Sequence, residues 1–262
     1  MSGSQLVEVE WRGRALQLET QWVGAAASVH PVVVFLHEGL GSISMWRGFP
    51  ERLCGEFGLR GLVYSRPGYG RSTPRPTDER WAPDFMHLQA LEVLPALLRA
   101  LGISRPWLFG HSDGGSIALL HAARFAVAGV VAVAPHIFVE DVSIASIERA
   151  RVAYDTGDLR ERLARHHADP DSAFRGWNEV WLDPAFRGWN IAAELGGITC
   201  PVLAVQGEDD EYGTLAQVVG IQQILPQTRL LVLRKCGHSP HRDQPDRLVD
   251  EAGRFIVESP GA

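Results

Sequence analysis

The feature that most constrains this chain is a rhythm. Short apolar runs rich in β-branched residues alternate with longer amphipathic ones. VVVFL at 32–36 reads as a buried strand, and LVY at 62–64 begins a second. WLFG at 107–110, VVAVA at 130–134, VLAVQ at 202–206 and LLVL at 230–233 continue the series. Helical patterns fill 85–101, 113–126, 214–224 and 243–257. Strands alternating with helices predict an α/β fold, a mostly parallel sheet covered on both faces. Two runs differ. LVEVEWR at 5–11 and ALQLETQWV at 15–23 alternate polar and apolar residues around Gly13, which predicts an antiparallel hairpin at one sheet edge.

One segment breaks the rhythm. From 138 to 190 there is no strong strand signal, the character is helical, and three of the eight tryptophans fall here: Trp177, Trp181 and Trp189. A chain of 262 residues accommodates one large domain or a core with an insertion. We therefore divide it into a core of 1–137 and 191–262 and a helical cap of 138–190. The cap contains AFRGWN twice, at 173–178 and 185–190. Two copies do not make a solenoid, which needs at least three. They read either as aromatic anchors where the cap folds back onto the core, or as a chance duplication.

The net charge of −6 offers no basic stripe, which argues against a nucleic-acid partner. Arg160, Arg162 and Arg165 are interleaved with Asp158 and Glu161, the pattern of a solvated helix face. No apolar stretch approaches the ~20 residues of a membrane helix. Three widely spaced cysteines, Cys54, Cys200 and Cys236, suggest neither a disulfide framework nor a zinc site. With no secretory signal pattern at the start, a cytoplasmic location is the expectation. No Gly-x-Gly-x-x-Gly follows a strand and no His/Cys cluster has ligand spacing, so neither a cofactor nor a metal is expected.

The chemistry gathers at three places. In FGHSDGGS, from Phe109 to Ser116, a strand runs through a tight turn into a helix opened by Gly114 and Gly115. That is the setting of a nucleophile elbow, with Ser112 at its apex. Asp113 falls in the first helical turn, where a negative charge meets the positive end of the dipole. A serine hydroxyl needs a base. His166 and His167 lie in a charged cap helix and read as solvated; His30, His87 and His121 lack a motif. His238 follows Gly237 in CGHSPHRDQP, on a loop at the carboxyl end of the sheet, where open α/β sheets place their sites. An orienting acid comes from GEDDEYG at 207–213, which also leaves a strand's carboxyl end. Asp210, three residues after Gly207, is preferred, with Asp209 the alternative.

These motifs resemble those of the α/β-hydrolase superfamily, in the serine branch with a helical lid, over nearly the whole chain. HEGLGS at 37–42 resembles the family's His-Gly oxyanion loop with Glu38 in place of glycine. YSRPGYGRS at 64–72 resembles the loop after the next strand, with Ser65 where aspartate is common. GHSDGG is similar to the elbow, GEDD to Gly-x-x-Asp, and GHSPHRDQP to Gly-His-x-x-x-x-(Glu/Asp)-x-Pro with Asp243 in the acidic place. The resemblance implies that Ser112 attacks a carbonyl, His238 serves as base and then acid, and Asp210 holds the imidazole. It also implies that the backbone N–H groups of Gly39 and Asp113 receive the oxyanion. Glu38 either points outward to an arginine or contacts a polar or cationic part of the substrate.

The expected activity is hydrolysis of a carboxylic ester or similar acyl bond of a small, apolar or aromatic substrate. C–C bond hydrolysis of a diketone is the alternative, and a non-catalytic ligand receptor the third reading. Trp177, Trp181 and Trp189, with Phe138 and Tyr212, line an apolar pocket if they point inward, and otherwise pack the core. His136 and His241 lie near strand ends or the His238 loop, within reach of a leaving group.

Overall fold

The computed structural model describes residues 3–259. Eight strands form one sheet in the order β1-β2-β4-β3-β5-β6-β7-β8. They are β1 Gln5–Trp11, β2 Arg14–Gly24, β3 Val33–Leu36, β4 Arg60–Tyr64, β5 Trp107–His111, β6 Gly129–Val133, β7 Val202–Gly207 and β8 Thr228–Leu233. β1 and β2 pair antiparallel through the two-residue turn Arg12–Gly13, and β2 pairs antiparallel with β4. Every other neighbour is parallel. Each sequence-predicted strand lies within two residues of an observed one. The central strands β3, β5, β6 and β7 are buried along their whole length, which is why they read as continuous apolar runs.

Helices cover both faces. On one lie α1 (Phe49–Glu56) and the last helix, Pro245–Glu258, with Leu248, Val249, Ala252 and Ile256 packed on the sheet. Each of the larger of these side chains contributes about 1.5–3 kcal/mol by burial. On the other lie α2 (Phe85–Leu88), a π-helical turn at Gln89–Val93, α3 (Leu94–Ala100) and α4 (Asp113–Ala122). The chain leaves β3 toward β4 and returns to pair β5 on the other side of β3. The crevice at the carboxyl ends of β3 and β5 is thus the topological switch point.

Between β6 and β7 the chain forms α5 (Asp141–Thr156), α6 (Leu159–Leu163), α7 (Pro170–Trp181) and 3₁₀ turns at Pro184–Gly188 and Ala192–Gly197. The ends of the expected cap meet, since Phe138 and Asn190 form an antiparallel bridge. The two AFRGWN copies differ in backbone. The first lies in α7 and the second in a 3₁₀ turn, yet Phe174, Trp177, Phe186 and Trp189 are all buried. α8 (Ala216–Ile224) follows β7, and α9 (Pro240–Asp243) precedes the last helix, α10. Among the described residues no helix is long and apolar enough to cross a membrane.

Candidate active site

The site begins where β5 ends. Ser112 stands between β5 and α4 with φ 54° and ψ −122°, a conformation that residues other than glycine rarely adopt. The surrounding glycines permit it. A Cβ at Gly110 would lie 2.1 Å from the Gly114 carbonyl oxygen, and one at Gly114 would lie 2.1 Å from that of Leu36. Helix and strands approach so closely that only glycine fits, and the chain turns at Ser112, whose N–H still donates to Val133 O at 2.9 Å.

Loops from two other strands converge on it. The Ser112 hydroxyl donates to His238 Nε2 at 2.9 Å. His238 Nδ1 donates to Asp210, 2.9 Å from each carboxylate oxygen. Asp210 Oδ1 also accepts the N–H groups of Tyr212 (2.8 Å) and Gly213 (3.2 Å), and Oδ2 accepts Gln206 Nε2. Burial opposes ionisation of Asp210, but the hydrogen bond and charge of His238 prevail and hold its pKa below the usual range. Burial likewise opposes a charge on His238, yet Asp210, with Glu211 and Glu38 farther off, raises its pKa. Asp209 makes no such contact; its backbone N–H donates to Cys236 O.

The His238 backbone is pinned at both ends. Its N–H donates to Glu211 Oε2 at 3.1 Å, and its carbonyl accepts His111 Nε2 at 2.7 Å. Asp243 closes the same loop by accepting the Gly237 N–H at 2.9 Å. On the far side of His111, Nδ1 is 3.6 Å from Glu38 Oε2. The Glu38 side chain is 22% exposed and is paired with this histidine rather than with an arginine. Burial opposes its charge, but His111, His241 and His37 around it hold its carboxyl well below the usual range.

The other expected site residues are placed unequally. Trp181 Nε1 donates to Asp113 Oδ1 at 3.2 Å, and its ring meets His136 edge-on at 4.9 Å. His136 lies 5.9 Å from the His238 ring and Tyr212 4.7 Å. Trp177 covers Gly39 so closely that a Cβ there would be 2.1 Å from the indole nitrogen. His241 packs against His111 at 4.9 Å and Trp46 at 5.1 Å. Burial pushes the pKa of both His136 and His241 down to about 3. Phe138 is different: it lies on the bridge to Asn190, and no ring contact joins it to His238.

One sequence reading needs correction, and one is extended. His167 is buried, not solvated: Nδ1 accepts the Gly70 N–H at 2.9 Å while Nε2 donates to Leu40 O at 3.0 Å. Asp113 does stand in the first turn of α4, but its side chain is fully buried, between the Trp181 indole and the Arg66 guanidinium 3.9 Å away. Burial raises its pKa to about 6 against the pull of Arg66.

Sequence reasoning missed Arg66, His111 and Gln206. Gln206, a lone amide ending the apolar run VLAVQ, was a readable signal for a partner to the acidic loop. At Ser65 the usual acid is supplied from elsewhere: the hydroxyl donates to Glu19 Oε2 at 2.9 Å, and that carboxylate oxygen also accepts the Arg71 N–H.

A model of the alpha/beta hydrolase family matches residues 33–251. A 2-succinyl-6-hydroxy-2,4-cyclohexadiene-1-carboxylate synthase of Serratia proteamaculans is 26% identical over 273 residues, spanning 93% of this chain and 100% of that protein. An esterase of Thermogutta terrifontis superposes with a TM-score of 0.76 at 18% identity, covering 98% of this chain and 99% of that one. A meta-cleavage product hydrolase of Pseudomonas fluorescens IP01 gives a TM-score of 0.76, also at 18% identity, over 97% of each chain. The last two likenesses show a common fold.

Proposed function

Because the chain belongs to the alpha/beta hydrolase family, we propose that it is a serine hydrolase cleaving a carboxylic ester, or a similar acyl bond, of a small apolar or aromatic substrate. The observation that carries this is the unbroken chain from the Ser112 hydroxyl through His238 to Asp210, with 2.9 Å at each link and the serine held in a strained turn.

In the proposed reaction Ser112 Oγ attacks the carbonyl carbon as its proton passes to His238 Nε2. The carbonyl π pair moves onto oxygen, where the N–H groups of Gly39 and Asp113 receive it. The adduct collapses, the ester C–O bond breaks, and His238 returns the proton to the departing alcohol. Water then repeats the sequence on the acyl-enzyme and releases the acid. Asp210 stays ionised throughout, fixing the tautomer and stabilising the imidazolium. Residues 138–190 serve as the lid, with Trp177, Trp181, His136 and Tyr212 shaping the substrate space. Glu38, turned toward His111, is held off the developing oxyanion.

The test is a screen of the purified protein and of Ser112→Ala against p-nitrophenyl acetate, larger acyl esters, lactones and vinylogous diketones. Ester turnover that vanishes in Ser112→Ala is expected. Turnover of diketones alone selects C–C hydrolysis instead. Binding without turnover of any of them makes the protein a receptor.

A further inference from the structure

Three donors meet at the Glu38–Gly39 peptide. Its carbonyl accepts the Gly41 N–H at 3.1 Å, Arg66 Nη2 at 2.9 Å and His37 Nδ1 at 2.7 Å. His37 Nε2 accepts the Arg66 backbone N–H at 3.0 Å, so the proton of the neutral ring sits on Nδ1. Burial, reinforced by the Arg66 charge, keeps that ring neutral by holding its pKa well below the ordinary value. A trans peptide directs its N–H opposite to its C=O. Pinning the carbonyl on the Arg66 side therefore aims the Gly39 N–H the other way.

The same guanidinium reaches the elbow. Arg66 Nη2 lies 3.9 Å from Asp113 Oδ2, and Asp113 is the residue directly after Ser112. The Arg66 side chain has no exposed surface, sits over the Tyr69 ring at 4.7 Å, and leaves Nε and Nη1 without partners. Holding a buried cation with two unbonded nitrogens is costly, and an apolar side chain of similar volume would fill the space more cheaply.

We propose that Arg66 is the positioning residue of the oxyanion site, tying the Glu38–Gly39 peptide to the Asp113 elbow so that both backbone N–H groups face one oxygen. This rests on the reading of Ser112 as nucleophile. A cation hydrogen-bonded to the peptide carbonyl also polarises the amide, strengthening the Gly39 N–H as a donor. That benefit is realised only when negative charge develops on the substrate oxygen, so it belongs to the transition state and not to substrate binding.

The test compares Arg66→Met and Arg66→Lys with the wild type. For p-nitrophenyl acetate, Arg66→Met should lower kcat by about 10²-fold with KM within about threefold. Affinity for a trifluoromethyl ketone, which forms a tetrahedral adduct on serine, should fall by the same factor. Arg66→Lys, keeping the charge but not the fork, should fall between the two. An independent readout is the pair of Gly39 and Asp113 amide signals in ¹H–¹⁵N spectra of the free protein, which should shift in both variants. If Arg66→Met does not fold, Arg66→Lys supplies the same readouts.

Unchanged amide signals in a folded variant overturn the positioning role. Shifted signals with unchanged kcat and ketone affinity overturn its catalytic consequence. A loss confined to KM, or one matched by a fall in melting temperature alone, also contradicts it. Wild-type turnover that survives in Ser112→Ala instead defeats the nucleophile reading, while the amide signals still report on Arg66.

Discussion

Two carboxylate–histidine pairs lie side by side in this molecule, and they act on different parts of His238. Asp210 grips the ring, with both oxygens 2.9 Å from Nδ1 and its own lone pairs satisfied by Tyr212, Gly213 and Gln206. Glu38 lies 3.6 Å from His111, whose opposite nitrogen holds the His238 carbonyl at 2.7 Å. In the mechanism proposed above, the first pair would govern the proton on the base and the second where the base sits. Residue types are similar; what separates the roles is whether the histidine facing the carboxylate is His238 itself or a neighbour that holds the His238 backbone.

The comparison is broken most directly by removing each charge in turn. Asp210→Asn should leave the fold intact and lower kcat by about 10⁴-fold, because the amide cannot hold the catalytic tautomer. Glu38→Gln measured under the same conditions should stay far closer to the wild type. Equal losses would mean that the two pairs share one function.

His111→Ala tests the backbone side. It leaves the buried His238 carbonyl without its donor, which should cost about 1–3 kcal/mol of stability. A loop no longer held in place should lower kcat by roughly tenfold, well short of the Asp210 effect. His111→Gln, which keeps a donor, should recover part of both. Thermal melts and steady-state kinetics on the same preparations check this.

The pH dependence sharpens the distinction. His238 must be neutral to accept the serine proton, and Asp210 raises its pKa. Activity should therefore fall on acidification with an apparent pKa above the ordinary 6.5. In Glu38→Gln this limb should move down only slightly, since Glu38 is the last of the charges acting on His238.

The smallest expected effect is that of Glu38→Gln on stability. The folded carboxyl titrates below its ordinary value, so its charge stabilises the fold above the unfolded pKa and that contribution fades as pH falls through the folded one. Glu38→Gln should thus melt below the wild type at pH 7, with the gap narrowing toward acid. A gap that is constant with pH would point to lost packing instead.

The sequence reading named three residues by their order along the chain, and the structure brings those three into one hydrogen-bonded line. Ser112, Asp210 and His238 each follow a strand at its carboxyl end, and the sheet brings such loops together whatever their internal detail. Arg66 and His111 were not legible in the same way. Both lie inside motifs that were read, but which buried carbonyl or carboxylate each one meets depends on neighbouring loops packed across the crevice. His167 shows the same limit: charged neighbours made it look solvated, while its ring ties Gly70 to Leu40. The paired AFRGWN copies show how far tertiary context overrides local sequence. Both copies follow an aspartate cap, Asp169 accepting the Ser172 N–H and Asp183 the Ala185 N–H, yet the first continues as a helix and the second leaves its 3₁₀ turn for the Asn190 bridge to Phe138.

The central claim is that Ser112 is a nucleophile activated by His238. Mass spectrometry of the protein after reaction with a fluorophosphonate tests it most directly. The account predicts one phosphonyl group per chain, mapped to the peptide containing Ser112, with labelling at least 10³-fold slower in His238→Ala because the base is gone. A stoichiometric label on another serine, or labelling of Ser112 at the same rate without His238, would contradict it.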